Sequence, residues 1–228
     1  MENWLDREKA LIGEEAVEKL KNSSVLVFGI GGVGGYSVEA LARAGIGNLT
    51  MVDHDKVNIT NINRQIIATR STLGMPKTRA AKQRIHDINP ECRVKEITEF
   101  AEEKNIANII GSSSPDFIID AIDCVTSKLL IAEYATEHNI PIISSMGTGN
   151  KLDPEKLKIT DISKTHTCPL ARVMRRELGV RGIKHLPVLY SEEQPVKVGM
   201  RTPASISFVP SAAGLMIAGY CIRKLIEV

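Results

Sequence analysis

Arg64, Lys77 and Asp123 are the charges most suited to chemistry, and all three lie downstream of a glycine-rich turn, "GIGGVGG", at residues 29–35. An arginine and a lysine converging on one pocket offset more negative charge than a dinucleotide pyrophosphate brings. They suit a triphosphate attacked at its α-phosphorus, where charge builds up on the equatorial oxygens. Asp123 closes the run "DFIIDAID" and is suited to hold Mg²⁺ beside those phosphates. Asp55, Asn61, Asn63 and Gln65 add polar groups within "HDKVNITNINRQ" (54–65), a stretch too long for a simple turn.

Gly29, Gly31 and Gly34 meet the G-x-G-x-x-G spacing, with Gly32 between them. Glycines let the backbone approach an anion, and the helix that follows offers free N–H groups and the positive end of its dipole. Asp53 ends the next strand about 20 residues beyond the turn, the place of an acid that accepts hydrogen bonds from ribose hydroxyls. NAD and ATP share that ribose, so the turn and Asp53 alone leave both open.

The elements that must position these groups alternate. Helical periodicity covers 5–21, and "SSVLVFGI" is a continuous apolar run of the kind a doubly covered parallel strand needs. A helix over 33–45 closes at Gly45, a strand covers 48–53, and a helix over 76–88 starts at Pro76. Strands follow at 92–98, 116–123 and 140–146, with helices at 102–110 and 125–138. This rhythm predicts an α/β chain with a Rossmann-like, doubly wound, mainly parallel sheet. After Gly147 the rhythm breaks: strands are expected at 157–162, 186–191 and 205–210, with helices at 169–178 and 211–226. No low-complexity linker divides the chain. One domain is therefore expected over 1–228, a nucleotide-binding half (1–150) with an added mixed α/β half for substrate and dimer contacts (151–228).

Composition is that of a globular protein, with 43% apolar and 25% charged residues and a net charge of +2. Aromatics at 4% argue against a base-stacking platform, and no polybasic run captures nucleic acid by charge alone. "MENWLDREKALIG" has no apolar core of a signal peptide, which predicts a cytoplasmic location. "PSAAGLMIAGYCI" reads as a core helix too short to span a bilayer, so no stable membrane insertion is expected. Cys92, Cys124, Cys168 and Cys221 form no C-x-x-C pair, so no zinc site is expected. Cys124 and Cys221 read as core thiols. Cys168 in "THTCPLAR" reads as a small residue at a helix start, against the alternative of a thioester-forming or sulfur-accepting thiol.

"VFGIGGVGG", "MVDHDKVNITNINRQ", "GMPKTRAAKQRIHDINP" and "DFIIDAIDCVTSK" together resemble the adenylating enzymes related to ubiquitin-activating E1, which include the molybdopterin-synthase and thiamine-biosynthesis adenylating proteins. The resemblance implies that the glycine turn faces ATP and that Asp53 binds ribose. It places Asn61, Arg64 and Lys77 on phosphates and Asp123 on Mg²⁺, with Asp55 and Gln65 beside the nucleotide. It also implies a homodimer in which Arg7 of "DREKALIG" reaches into the partner subunit's ATP site.

The absence of C-x-x-C pairs counts against the sulfur-carrier activators of that family. "SSMGTGNKLDP", "ITDISKTHTCPLARVMRRELGVRGI", "VLYSEEQP" and "SISFVPSAAGLMIAG" instead resemble the branch that dehydrates threonylcarbamoyladenosine beside the anticodon of tRNA. That resemblance implies adenylation of the threonyl carboxylate, then ring closure by a nitrogen of the same side chain with loss of AMP. A tethered attacker has a very high effective molarity and needs no enzyme nucleophile. Expected participants are ATP, Mg²⁺ and tRNA, with a monovalent cation and a cysteine desulfurase or sulfur-acceptor system as further expectations. Arg172, Arg175 and Arg176 share one helix face. By charge alone they form a solvated surface, and the resemblance assigns them to tRNA phosphates. His166 and His185 read as ordinary hydrogen-bonded histidines rather than general bases. "GTGN" (147–150) is expected to border the substrate side. Two other readings stay open: activation of a ubiquitin-like carrier's C-terminus, and an NAD(P) dehydrogenase or nucleotide-binding scaffold.

Overall fold

A computed structural model describes residues 3–199 and 202–228. Seven strands form one sheet in the order β3-β2-β1-β4-β5-β7-β6. They are β1 (Ser24–Phe28), β2 (Asn48–Val52), β3 (Arg93–Ile97), β4 (Phe117–Asp120), β5 (Ile142–Ser145), β6 (Leu157–Asp161) and β7 (Pro187–Ser191). All neighbours are parallel except β6, which runs antiparallel to β7 at the edge. The second half of the chain thus extends the sheet of the first. β1 lies between β2 and β4, so the strand order reverses there and a crevice opens at the carboxyl ends of β1 and β4.

The continuous apolar run of β1 is explained by cover on both faces. Val25 and Val27 point into a core with Leu41, Ile217 and Cys221, while Leu26 and Phe28 point into a second core with Ile109, Ile131 and Met174. The first layer of helices holds α2 (Glu14–Asn22), α3 (Gly34–Arg43), α4 (Lys77–Ile88) and α8 (Phe208–Ile226). The second holds α5 (Glu103–Ser113), α6 (Val125–Glu137) and α7 (Pro169–Val180). α3 ends in a Schellman motif: Gly45, at φ +75°, donates to the Ala42 carbonyl and Ile46 to that of Leu41.

Three expectations need correction. The helix over 5–21 is two, α1 (Asp6–Ile12) and α2, because Gly13 adopts φ +86°, outside the helical region, between them. The strand at 205–210 does not form: Phe208 already lies in α8. The alternation of Ile206 and Phe208 mimics a strand, but Pro210 is tolerated in a first helical turn and is buried there with Val209 and Ala213. α8 is therefore 19 residues, long and apolar enough by length and composition to cross a membrane, so the argument from shortness fails. Its buried stripe nevertheless packs on α3 so closely that a Cβ on Gly214 would sit 2.3 Å from the Val33 carbonyl oxygen.

α3 is tied to α4 through Glu39, which accepts from Arg84 at 2.6 and 3.0 Å and from Arg43 at 2.8 Å. Burial alone would push the Glu39 carboxyl up, but the two guanidiniums outweigh it and hold the carboxyl below the usual range. A carboxylate with a lowered folded-state pKa contributes stability above its unfolded value of about 4.3, and that contribution is lost as pH falls through the folded value. E39Q is therefore expected to lower the urea midpoint at pH 7 and to differ less from the parent at pH 3. An equal deficit at both pH values would contradict this assignment.

Candidate functional site

The turn after β1 closes against the exit of β4. Gly29 has φ +84°, donates its N–H to the Val52 carbonyl, and has no room for a side chain: a Cβ would lie 2.8 Å from the Ala121 carbonyl. Asp53, at the end of β2, locks the turn from the other side. Its carboxylate accepts from the Ile30 N–H at 2.7 Å and from the Asp55 N–H at 2.9 Å. Among the described residues, the N–H groups of Gly31, Gly32 and Val33 have no protein acceptor. They face the crevice at the start of α3, a ready site for negatively charged oxygens.

A cavity of about 530 Å³ opens there, and it gathers nearly every residue singled out from the sequence. Gly29, Gly31, Gly32, Asp53, Asp55, Asn61, Arg64, Gln65, Lys77 and Asp123 all line it. Gly34 lies one turn behind, packed so tightly that a Cβ would fall 1.8 Å from the Gly29 carbonyl oxygen. The 54–65 stretch reaches the cavity through a short 3₁₀ turn at Ile59–Asn61, capped reciprocally by Asn58 and Asn61.

The charges are arranged in two ways. Lys77, buried at the start of α4, donates to Asp55 at 2.7 Å and lies 3.7 Å from Asp53. Burial raises the Asp55 carboxyl, but the Lys77 hydrogen bond and charge outweigh it, so it stays ionised below the usual range. Arg64 uses one terminal nitrogen for the Thr60 carbonyl at 2.8 Å and the Asn63 side chain at 2.9 Å, leaving its other N–H groups to the cavity. Asp123 is exposed, and no side chain pairs with it among the described residues. The Gln65 Oε1 is buried with no hydrogen-bond partner among the described residues, an acceptor whose cost a bound donor would relieve.

The remaining candidates lie elsewhere. Arg7 stands exposed on α1 and does not line this chain's cavity. On α7, Arg172 and Arg176 are exposed, but Arg175 is turned inward and donates to the Thr165 carbonyl and hydroxyl at 2.8 and 2.6 Å. The three arginines thus do not present one uniform face. His166 lies near Glu192 and His185 near Asp161, each at 3.3 Å, and neither lines the cavity.

Cys124 is not a core thiol: it is half-buried, lines the cavity, and is held below the usual thiol range by hydrogen bonds from Ser127 and Thr126. Cys168 is buried at the start of α7 and Cys221 in the core.

Of the "GTGN" stretch (147–150), expected to border the substrate side, Gly147, Thr148 and Gly149 line the cavity, while residues 202–205 opposite them carry no local signal in the sequence. Gly147, Thr148 and Gly149 face Thr202–Ser205 across the cavity, and Asn150 pairs both backbone groups of Ala204, at 2.8 and 2.6 Å. Pro210 packs on Gly32, and Phe100 meets His54 edge-on at 4.9 Å near Asp53. Among the described residues, Gly147–Gly149 and Thr202–Ser205 carry no charge, whereas Arg64 and Lys77 stand on the glycine-turn side.

The chain matches the ThiF family over residues 5–228. It is 41% identical over 245 residues to the tRNA threonylcarbamoyladenosine dehydratase of Bacillus subtilis, covering 100% of this chain and 96% of the relative. The E. coli enzyme of the same name, TcdA, has been solved in complex with ATP and superposes with a TM-score of 0.90 at 35% identity. Its complex with AMP gives 0.91 at 34%. Both alignments cover 96% of this chain and 92% of the solved one.

Proposed function

Since the chain belongs to the ThiF family, we propose that its cavity binds ATP and adenylates the threonyl carboxylate of threonylcarbamoyladenosine in tRNA, which then cyclises with net loss of water. The observation that carries this reading is the meeting, in one cavity at the reversal of strand order, of Arg64, Lys77, Asp123 and three backbone amides, with neither Asp123 nor the amides partnered among the described residues. A dehydrogenase would leave those charged groups idle. The names and nucleotide complexes of the relatives support the same reading.

The amides of Gly31–Val33 and the start of α3 take phosphate oxygens, and Asp53 takes the ribose hydroxyls, its orientation fixed by Ile30 and Asp55. Asn61, Arg64 and Lys77 hold the triphosphate, with Gln65 beside the nucleotide, and the cations stabilise charge as the carboxylate attacks the α-phosphorus and pyrophosphate leaves. A carboxylate would have to expel oxide, whereas the acyl-adenylate can expel AMP. A nitrogen of the tethered side chain attacks the acyl carbon, closes the ring and releases AMP. Asp123, exposed on the cavity wall, is the residue that would hold Mg²⁺. Such a cation, when bound, neutralises phosphate charge.

Arg7 acts only from a second copy of the chain in a homodimer. Exposed Trp4 and Leu11, in and beside α1, are the apolar surface such a contact would cover. Arg172 and Arg176 meet tRNA phosphates. No cavity residue is assigned to a monovalent cation or to a sulfur-transfer partner. The reading predicts ATP–pyrophosphate exchange that requires threonylcarbamoylated tRNA. Exchange driven equally by unmodified tRNA, or by a Gly-Gly-ending carrier protein instead, would contradict it.

A further inference from the structure

Directly beneath the cavity floor lies an ion pair with no access to solvent. Lys128 on α6 donates to Asp120 Oδ2 at 2.9 Å, and both side chains are 0% exposed. The Ser144 hydroxyl accepts from Lys128 at 3.0 Å and donates to the same Asp120 oxygen at 2.6 Å. The other Asp120 oxygen accepts from the Ile122 N–H at 3.3 Å. A buried pair of this kind is a poor way to gain stability, because desolvating both charges cancels much of their attraction and a packed apolar pair often does as well.

Its position gives it another use. Asp120 is the last residue of β4, and the chain continues through Ala121, Ile122 and Asp123 into α6. Ser144 is next to last in β5, and the chain continues into the Met146–Gly149 wall. Lys128 stands one turn into α6, whose start carries Cys124. The three groups therefore join the two strand ends and the one helix start from which both adjoining walls of the cavity leave. Apolar packing resists separation of these elements but tolerates sliding and rotation. A lysine, a carboxylate and a hydroxyl sharing one oxygen fix direction as well as distance.

We propose that Lys128, with Asp120 and Ser144, is a positioning residue that sets where Asp123 stands relative to the triphosphate and to the 146–149 wall. This inference rests on the adenylation reading for its kinetic consequences.

The test compares the parent with D120N/K128M, which removes both charges together so that neither is left buried and unpaired, and with S144A, which keeps the pair and deletes only the bridge to β5. In the folded double variant, kcat for tRNA-dependent pyrophosphate exchange is expected to fall at least about tenfold, the scale of a sub-ångström misplacement of reacting groups. The ATP dissociation constant measured without divalent cation should stay within about twofold, since the glycine turn and Asp53 are untouched, and half-maximal turnover should need more Mg²⁺. Amide exchange at Ile122–Cys124 should accelerate. S144A should shift kcat and Mg²⁺ demand in the same sense by less.

Unchanged kcat, Mg²⁺ dependence and amide exchange in the double variant would overturn the proposal. So would equal losses of ATP affinity and kcat, which would mean that the triad merely supports the pocket as a whole. If the double variant fails to fold, S144A decides alone: parental kcat, Mg²⁺ dependence and amide exchange in it overturn the proposal. Failure of the adenylation reading itself would show in the parent, as absence of tRNA-dependent exchange, while the amide-exchange comparison would still test the brace.

Discussion

Asp123→Ala and Arg64→Ala are each expected to slow adenylation at least about a hundredfold, the usual scale for losing a group that stabilises transition-state charge. Neither change should harm the fold. Among the described residues Asp123 is exposed and makes no ion pair, and the hydrogen bonds of the Arg64 side chain stay within its own loop. Surface substitutions of this kind stay within about 0.5 kcal/mol of the parent. A large rate loss with an unchanged unfolding midpoint therefore reports chemistry rather than stability. The two variants should differ in kind. Without Asp123 the demand for Mg²⁺ rises, whereas without Arg64 turnover falls at saturating Mg²⁺. Initial rates across an Mg²⁺ series separate them, and near-parental turnover in either would remove the role assigned to it.

Gly34→Ala should have the second large effect, by a different route. The added methyl would lie 1.8 Å from the Gly29 carbonyl oxygen and 3.3 Å from the Ala121 side chain. The first atom is backbone and cannot step aside without moving the turn. The cost should reach at least about 3 kcal/mol, the upper end of ordinary overpacking. Any protein that still folds must displace the Gly29–Val33 amides, so ATP affinity should fall with stability. Gly31→Ala is the matched control for stability alone, because within the protein its methyl would meet only the Gln65 side-chain nitrogen at 3.7 Å. Parental stability and ATP affinity in Gly34→Ala would show that the turn is far softer than its packing implies.

The nucleotide half was readable because each of its signals is local. Unbroken apolar runs in β1 and β4, glycine spacing in the turn, and acids at strand ends all follow from covering both faces of a parallel sheet and leaving its carboxyl edge open. The second half was less readable because its determinants are tertiary. "SISFVP" alternates like a strand, yet its last three residues, Phe208–Pro210, enter α8, where Val209 and Pro210 are buried and Pro210 packs on the glycine turn. Cys124 looked like a core thiol from its neighbours, and only the path of the chain into α6 brings it to the cavity wall. Arg175 shares a helix face with Arg172 by spacing but folds back on Thr165. Lys128 carried no signal at all, since nothing near it in sequence indicates that Asp120 and Ser144 meet it beneath the sheet edge.

On the proposed function, this cavity uses ATP to turn a carboxylate on tRNA into a mixed anhydride that closes on itself. The most direct measurement incubates the protein with ATP, Mg²⁺ and tRNA from cells lacking the cyclic base, then weighs the liberated nucleosides and counts AMP. The expected product is a threonylcarbamoyladenosine lighter by the mass of one water, with one AMP and one pyrophosphate formed for each. A nucleoside of unchanged mass, in tRNA that has been fully exposed to active protein and ATP, would contradict it.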